Sequence, residues 1–240
     1  NISISQKAFY SCTGLQNVTI NGNEITIGIN SFSSCSNLQE LEIKGKLTTI
    51  ENGAFSSCTS LENFKIEGNV LSIGNNAFIS NSKLRSIFIK EENITIGYRA
   101  FYECNNLTNI IIFGKETLIG EDAFCYDYAL QNIQLTGNNI LISSQAFYSC
   151  TDLQTITIDC HEIKIEYQSF YSCSKLDSFI IKFEYLTILE QSFSSCTNLK
   201  YISIKGYNIS IGKNSFSSCT NLTEVFIKGE EICTGVNAFT

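Results

Sequence analysis

The chain has 240 residues, with 16 basic against 23 acidic side chains and a net charge of −7, and its pI is near 4.8. That balance argues against nucleic acid or an anionic membrane as a general partner. No run approaches the ~18 apolar residues of a membrane span, no signal-peptide pattern is present, and proline, methionine and tryptophan are absent.

One period organises the rest. Phe9, Phe32, Phe55, Phe78, Phe101, Phe124, Phe147, Phe170, Phe193, Phe216 and Phe239 recur every 23 residues without an insertion or deletion. Such regularity marks a solenoid, in which each coil stacks on the last in register. Within a coil the elements come in a fixed order. The residue before each Phe is always Ala or Ser, from Ala8 to Ala238, so something small is needed against a tight backbone. The segment after it, such as Ser195-Cys196-Thr197-Asn198, is too short and too rich in Ser and Asn for an α-helix, and predicts a turn or a single 3₁₀ turn.

A leucine column follows, Leu15 to Leu222, with apolar residues three and five positions on, such as Val18 and Ile20. Their alternation with polar residues predicts a half-buried strand. Next stands Gly22, Gly45, Gly68, Gly114, Gly137, Gly206 or Gly229, which predicts a tight reversal through a positive φ. A shorter strand then ends in an isoleucine column that runs from Ile4 to Ile211 and fails only at Thr234. Strands reached by the same full coil run parallel. At ~4.8 Å per coil the fold class is a mainly β solenoid, ~50 Å long, with about eleven coils and little α-helix. Neither end shows a polar cap, so residues 1–240 read as a single solenoid and a fragment of a longer array.

Eleven cysteines suggest a disulfide framework until they are placed on this period. Cys12, Cys35, Cys58, Cys104, Cys150, Cys173, Cys196 and Cys219 share one column, interrupted by Asn81 and Asp127. Stacked side chains pointing the same way fit disulfide geometry poorly, and buried thiols act as small hydrophobes. Cys125, Cys160 and Cys233 lie off the column, and no C-x-x-C spacing offers a zinc site.

Candidate chemistry is sparse. The single histidine, His161, adjoins Cys160 in a turn, where neighbouring side chains point apart. Gly206 to Asn214 resembles a phosphate loop but has one residue too many and lacks the closing Ser or Thr. Carboxylates are scattered over turn positions, with none expected in an apolar setting. The expectation is no enzyme, no cofactor and no metal.

Binding residues are sought where the fold leaves the choice free. The outward columns of the longer strand run Thr19, Glu42, Lys65, Phe88, Ile111, Gln134 onward, and Asn21, Lys44, Glu67, Lys90, Phe113, Thr136 onward. Phe88, Ile111 and Phe113 thus form a predicted exposed apolar cluster, against ordinary β-propensity as the alternative. Lys182, Lys205 and Lys228 stack like charges in an acidic chain, with Phe183 and Tyr185 as possible extensions, suiting an anionic group on a partner. The shorter strand carries Ser3, Thr26, Thr49, Ser72 and Thr95 before Leu118, Leu141 and Lys164 interrupt, a Ser/Thr array that raises ice binding as a remote alternative. Six N-x-S/T sequons, at Asn1, Asn17, Asn93, Asn106, Asn208 and Asn221, are compatible with secretion.

The motif L-x-x-I-x-I, I-x-I-G-x-x-A-F-x-x-C-x-x-L, clear in Leu107 to Ile112 and Ile73 to Phe78, resembles the 23-residue repeats of BspA-like (treponemal-type) leucine-rich-repeat proteins. The resemblance covers the whole chain and departs only in lacking the proline that often follows the I-x-I strand. It implies a leucine-rich-repeat solenoid and a cell-surface or extracellular protein-binding module, with adhesion to host or neighbouring cells through a protein ligand. A self-associating scaffold is the alternative. It implies no catalytic residues, while the charge balance and the lack of a long apolar run lead to the expectation of no nucleic-acid partner and no membrane insertion by this segment.

Overall fold

Apolar residues at every second position do form strands with one face buried and the other solvated, the pattern of Asn17–Asn21 being typical. The computed structural model describes residues 1–240. Its strands begin with β1 (Ile2–Ile4), β2 (Asn17–Asn21), β3 (Glu24–Ile27), β4 (Glu40–Ile50), β5 (Asn63–Ile73) and β6 (Ser86–Lys90). They continue as β7 (Asn93–Ile96), β8 (Asn109–Ile119), β9 (Asn132–Ile142), β10 (Thr155–Asp159) and β11 (Glu162–Ile165). The last are β12 (Ser178–Lys182), β13 (Tyr185–Ile188), β14 (Tyr201–Lys205), β15 (Asn208–Ile211), β16 (Glu224–Lys228) and β17 (Glu231–Thr234). All seventeen belong to one parallel sheet wound into a solenoid. Partners are one period apart throughout, as in Ile110 with Ile133 and Ile181 with Ile204. There is no helix of any kind, so none long and apolar enough to cross a membrane.

The phenylalanine column is the spine. From Phe9 to Phe239 the rings stack in ten consecutive steps of 4.8–5.2 Å, with planes within 10° of parallel. Nine coils bury the ring fully or almost so, at roughly 1.5–3 kcal/mol for each side chain removed from water. The backbone around the ring is bonded from coil to coil as well. The Phe55 N–H donates to the Ala77 carbonyl at 2.8 Å and the Phe170 N–H to the Ser192 carbonyl at 2.7 Å, the same pairing from Phe9 to Phe216. The small residue before each Phe is therefore squeezed between ring stack and backbone ladder; the hydroxyls of Ser169, Ser192 and Ser215 bond the carbonyls of Glu166, Leu189 and Gly212, while that of Ser31 has no partner.

Two expectations are corrected. The glycines between the strands do not reverse the chain through a positive φ; Gly53 is the one glycine with φ above zero. The left-handed residues instead stand two before and two after each Phe, as with Asn30 and Ser34 (φ 52° and 63°) or Gln168 and Ser172 (52° and 59°). Asn, Gln and Ser hold this conformation because the ladder on both sides over-determines it. The intervening glycines serve close approach: a Cβ on Gly68 would collide with the Gly45 carbonyl oxygen, and one on Gly137 with that of Gly114. In those coils the expected break disappears, and β4, β5, β8 and β9 run unbroken for 11 residues.

The thiol column has a specific task. Each Sγ from Cys35 onward donates to the carbonyl of the Phe in the preceding coil, as Cys58 does to Phe32 and Cys196 to Phe170, both at 3.2 Å. Asn81 repeats the bond with its amide, donating to Phe55 at 3.0 Å and to Phe78 at 2.6 Å. Asp127 is different. It is fully buried, and Oδ1 accepts the Cys104 N–H at 2.7 Å while Oδ2 has no partner. Burial pushes its carboxyl well above the usual range. By the repeat, the carbonyl facing it is that of Phe101, which a protonated acid satisfies and a carboxylate repels.

An acid with a raised folded pKa contributes stability fully present below its unfolded pKa, about 3.9, and lost as pH rises through the folded value. Asp127→Asn supplies a permanent donor, as Asn81 does. The variant is expected to be more stable than the parent at neutral pH by about 1–3 kcal/mol and to melt with a flatter pH dependence, measured by thermal denaturation from acid to neutral pH.

Candidate functional site

The longer-strand face changes character along the axis. In β4 and β5, Glu42, Lys44, Lys65 and Glu67 form a checkerboard, with Lys44–Glu42 and Lys65–Glu67 both at 2.8 Å. The lysines hold both carboxyls below their usual range, although such exposed pairs add little stability. One coil later Phe88 replaces the charge in one column while Lys90 keeps it in the other, and in β8 both columns are apolar, with Ile111 and Phe113. Phe88 is 51% exposed, and its ring meets that of Phe113 edge-on at 6.0 Å. Ile111 is the register partner of Phe88, and Phe113 that of Lys90. Polar Gln134 and Thr136 of β9 close the cluster on the far side.

Beside this cluster the structure reveals a buried acid that contradicts the expectation of carboxylates confined to solvated turns. Glu91 occupies the glycine column and interrupts the sheet. β6 ends before it and β7 starts after it, while β5 and β8 on either side pass straight through. Its N–H donates to the Phe113 carbonyl at 3.0 Å. Its side chain turns inward over Gly68, where the missing Cβ leaves room. The residue is 6% exposed and neither carboxylate oxygen has a hydrogen-bond partner. Burial pushes its carboxyl up to about 7; the Gly68 amide opposes this and the charge of Glu67 adds to it. Nearby Lys115 is engaged with Glu92 at 3.1 Å. The signal was present in the sequence as an acid in a glycine column, but its burial depended on the empty space at Gly68.

Lys182, Lys205 and Lys228 do stand in register, with the Lys205 ammonium 4.9 Å over the ring of Phe226. Their surroundings are mixed, since Asp159 is the register partner of Lys182 and Glu184 and Glu230 follow in the adjacent turns. Phe183 does not extend the patch. It is 8% exposed and packed in the core against Gly206, where its ring replaces a glycine. Tyr185 is exposed, but its ring meets His161 at 5.3 Å and Tyr207 at 6.1 Å. His161 Nδ1 lies 3.2 Å from Glu184, while burial pushes the Cys160 thiol up to about 12. Thiol and imidazole therefore have separate partners. On the shorter-strand face, Leu118 and Leu141 floor a shallow depression of about 470 Å³ edged by Glu116, Glu162 and Lys164, at the place where the Ser/Thr column is interrupted.

The family model described as BspA type leucine rich repeat region matches six copies, over residues 2–130 and 117–240. No curated protein matches the chain. Among solved structures, the chain is similar to a leucine-rich repeat protein from Bacteroides ovatus, with 18% identity, 95% of this chain and 78% of that one covered, and a TM-score of 0.33. A leucine rich cell surface protein from Faecalibacterium prausnitzii gives 23%, 94%, 76% and 0.43. The T. pallidum leucine rich repeat protein gives 20%, 73%, 71% and 0.41.

Because Glu91 has a raised folded pKa, its contribution to stability is complete below about 4.3 and declines as pH rises toward about 7. Glu91→Gln cannot ionise. It is expected to remove part of the decline in melting temperature over that window and to slow exchange of the residue 91 amide, which donates to the Phe113 carbonyl, at neutral pH, read by hydrogen exchange.

Proposed function

The chain belongs to the BspA-type leucine-rich repeat family, and from that premise we propose that it is a surface-displayed protein-binding module that mediates adhesion to host or neighbouring cells. The observation that carries the reading is the cluster of exposed Phe88 with half-buried Ile111 and Phe113 on the longer-strand face, where the other outward apolar residues, Ile180 and Phe226, stand apart with Ser203 between them. The fold needs none of these side chains, since other coils place Thr19, Glu42 or Ser203 in the same column. Aromatic anchors ringed by polar residues are the usual energetic centre of a protein contact. A rigid solenoid presents them without reorganisation, so little binding energy is lost to ordering. Lys182, Lys205 and Lys228, about 15 Å or more further along the axis, offer acidic groups of the same partner a second anchor. The partner in this reading is a protein exposed outside the cell, and no covalent chemistry is required.

Phe88→Ser with Phe113→Ser is expected to weaken binding to epithelial cells and extracellular-matrix proteins by about tenfold or more, corresponding to a loss of about 1.4 kcal/mol, with unchanged melting. Replacing the three lysines by Glu is expected to give a smaller, salt-dependent loss. Flow cytometry and surface binding read both. Unchanged binding in the phenylalanine variant overturns the site, and absence of any cell or matrix binding by the parent chain overturns the adhesive reading.

A further inference from the structure

The turn side of the solenoid carries a second aromatic surface in columns that most other coils fill with Ser or Thr. Across consecutive coils, Tyr102 meets Tyr126 at 5.6 Å, Tyr126 meets Tyr148 at 5.8 Å, and Tyr148 stacks on Tyr171 at 5.1 Å. Tyr128 adds a ring 5.9 Å from Tyr126 and is 48% exposed. None of these rings belongs to the core cluster. The corresponding positions in other coils are Ser33 and Ser56 for Tyr148, and Ser34 and Ser149 for Tyr126. The fold therefore does not call for them.

One end of this ridge already holds a cation. The Arg99 guanidinium lies 4.8 Å over the Tyr98 ring and 4.9 Å over that of Tyr102, and its Nε donates to Asp122 Oδ2 at 2.9 Å. Two aromatic faces and a carboxylate thus form a working guanidinium clamp within the chain itself. Beyond it the same ingredients recur without a cation. Tyr126, Tyr128 and Tyr148 have no Lys or Arg over their rings, and the exposed carboxylates of Glu103 and Glu121 make no ion pair. Partial burial and nearby acidic groups push the Tyr102 and Tyr126 phenols up, so the rings stay neutral.

We propose that this tyrosine ridge is a second interaction surface, which takes arginine side chains from an extended basic segment of a partner protein. A guanidinium is planar and weakly hydrated, so it stacks on tyrosine while its edge bonds a carboxylate, which an ammonium does less well. The chain's net charge of −7 favours the approach of such a segment. The surface is independent of the Phe88 and Phe113 cluster, which lies on the strand side of the coil.

The test is titration of the intact chain with fluorescent oligo-arginine, oligo-lysine and oligo-glutamate peptides, read by anisotropy at low and high salt. Oligo-arginine is expected to bind about tenfold more tightly than oligo-lysine, and oligo-glutamate not at all. Tyr126→Ser with Tyr148→Ser installs residues that other coils carry there, and is expected to lose about tenfold or more in oligo-arginine affinity. Glu103→Gln with Glu121→Gln, which leaves every ring in place, is expected to weaken binding and flatten its salt dependence. Phe88→Ser with Phe113→Ser is expected to leave it unchanged, which separates this surface from the adhesive one. Equal binding of oligo-arginine and oligo-lysine, or full binding by either ridge variant, overturns the proposal.

Discussion

Everything in this molecule depends on a single constraint: one phenylalanine ring per coil must land on the ring below it. The rings stack at about 5 Å and nearly parallel, which is the spacing of hydrogen-bonded strands in a sheet. The side-chain stack and the backbone ladder therefore demand the same rise. Left-handed residues two positions before and after the ring turn the chain around it. The thiol or amide three positions after it returns to the preceding phenylalanine carbonyl. Each coil closes its turns with bonds of its own but satisfies its strands and the backbone around the ring through its neighbours, so stability resides largely in the contacts between coils.

That dependence explains which parts of the structure could be read from the sequence. Residues whose role is set by the period were legible: the phenylalanine and leucine columns, the cysteine column as core, and the outward direction of Phe88, Ile111 and Phe113. Misreadings arose where a residue's role depends on the coil above or below. Glycine between the strands suggested a reversal, yet Gly45 and Gly68 are needed because successive backbones nearly touch. The reversals fall to Ser, Gln, Arg99, Glu103 and Tyr126 as readily as to Asn, the one among them that favours the left-handed region by itself, so residue type alone does not mark them. Phe183 looked like surface because its column is usually glycine; its ring instead packs against Gly206 of the next coil. Glu91 looked solvated because an acid usually is, and only stacking on Gly68 shows that it is enclosed. The tyrosine ridge was equally hidden, since its members belong to three different columns and all but the Tyr126–Tyr128 pair meet across coils.

The division between fold and function follows from the same geometry. Inward columns are nearly invariant from coil to coil, so they carry no information about partners. Outward columns vary freely, and outward rings meet one another at the phenylalanine pair on the strand side, at the tyrosines on the turn side and at Tyr185 with Tyr207. The buried acid at Glu91 adds a local weakness next to the first of these, at the one coil where the sheet is interrupted between two unbroken strands. A rigid array with a charged coil beneath its exposed aromatic cluster places a pH-sensitive element close to a candidate contact surface.

The central claim is that register, rather than the sum of local contacts, specifies the fold. Excising residues 133–155, one whole period, joins Asn132 to Ile156 with every column preserved, whereas deleting Ser149 alone shifts every later column by one position. Thermal unfolding followed by far-UV circular dichroism compares the two directly. The whole-coil excision is expected to melt cooperatively and close to the parent, and the single deletion to lose cooperativity and melt far lower. Equal or greater stability of the single-residue deletion would contradict the account.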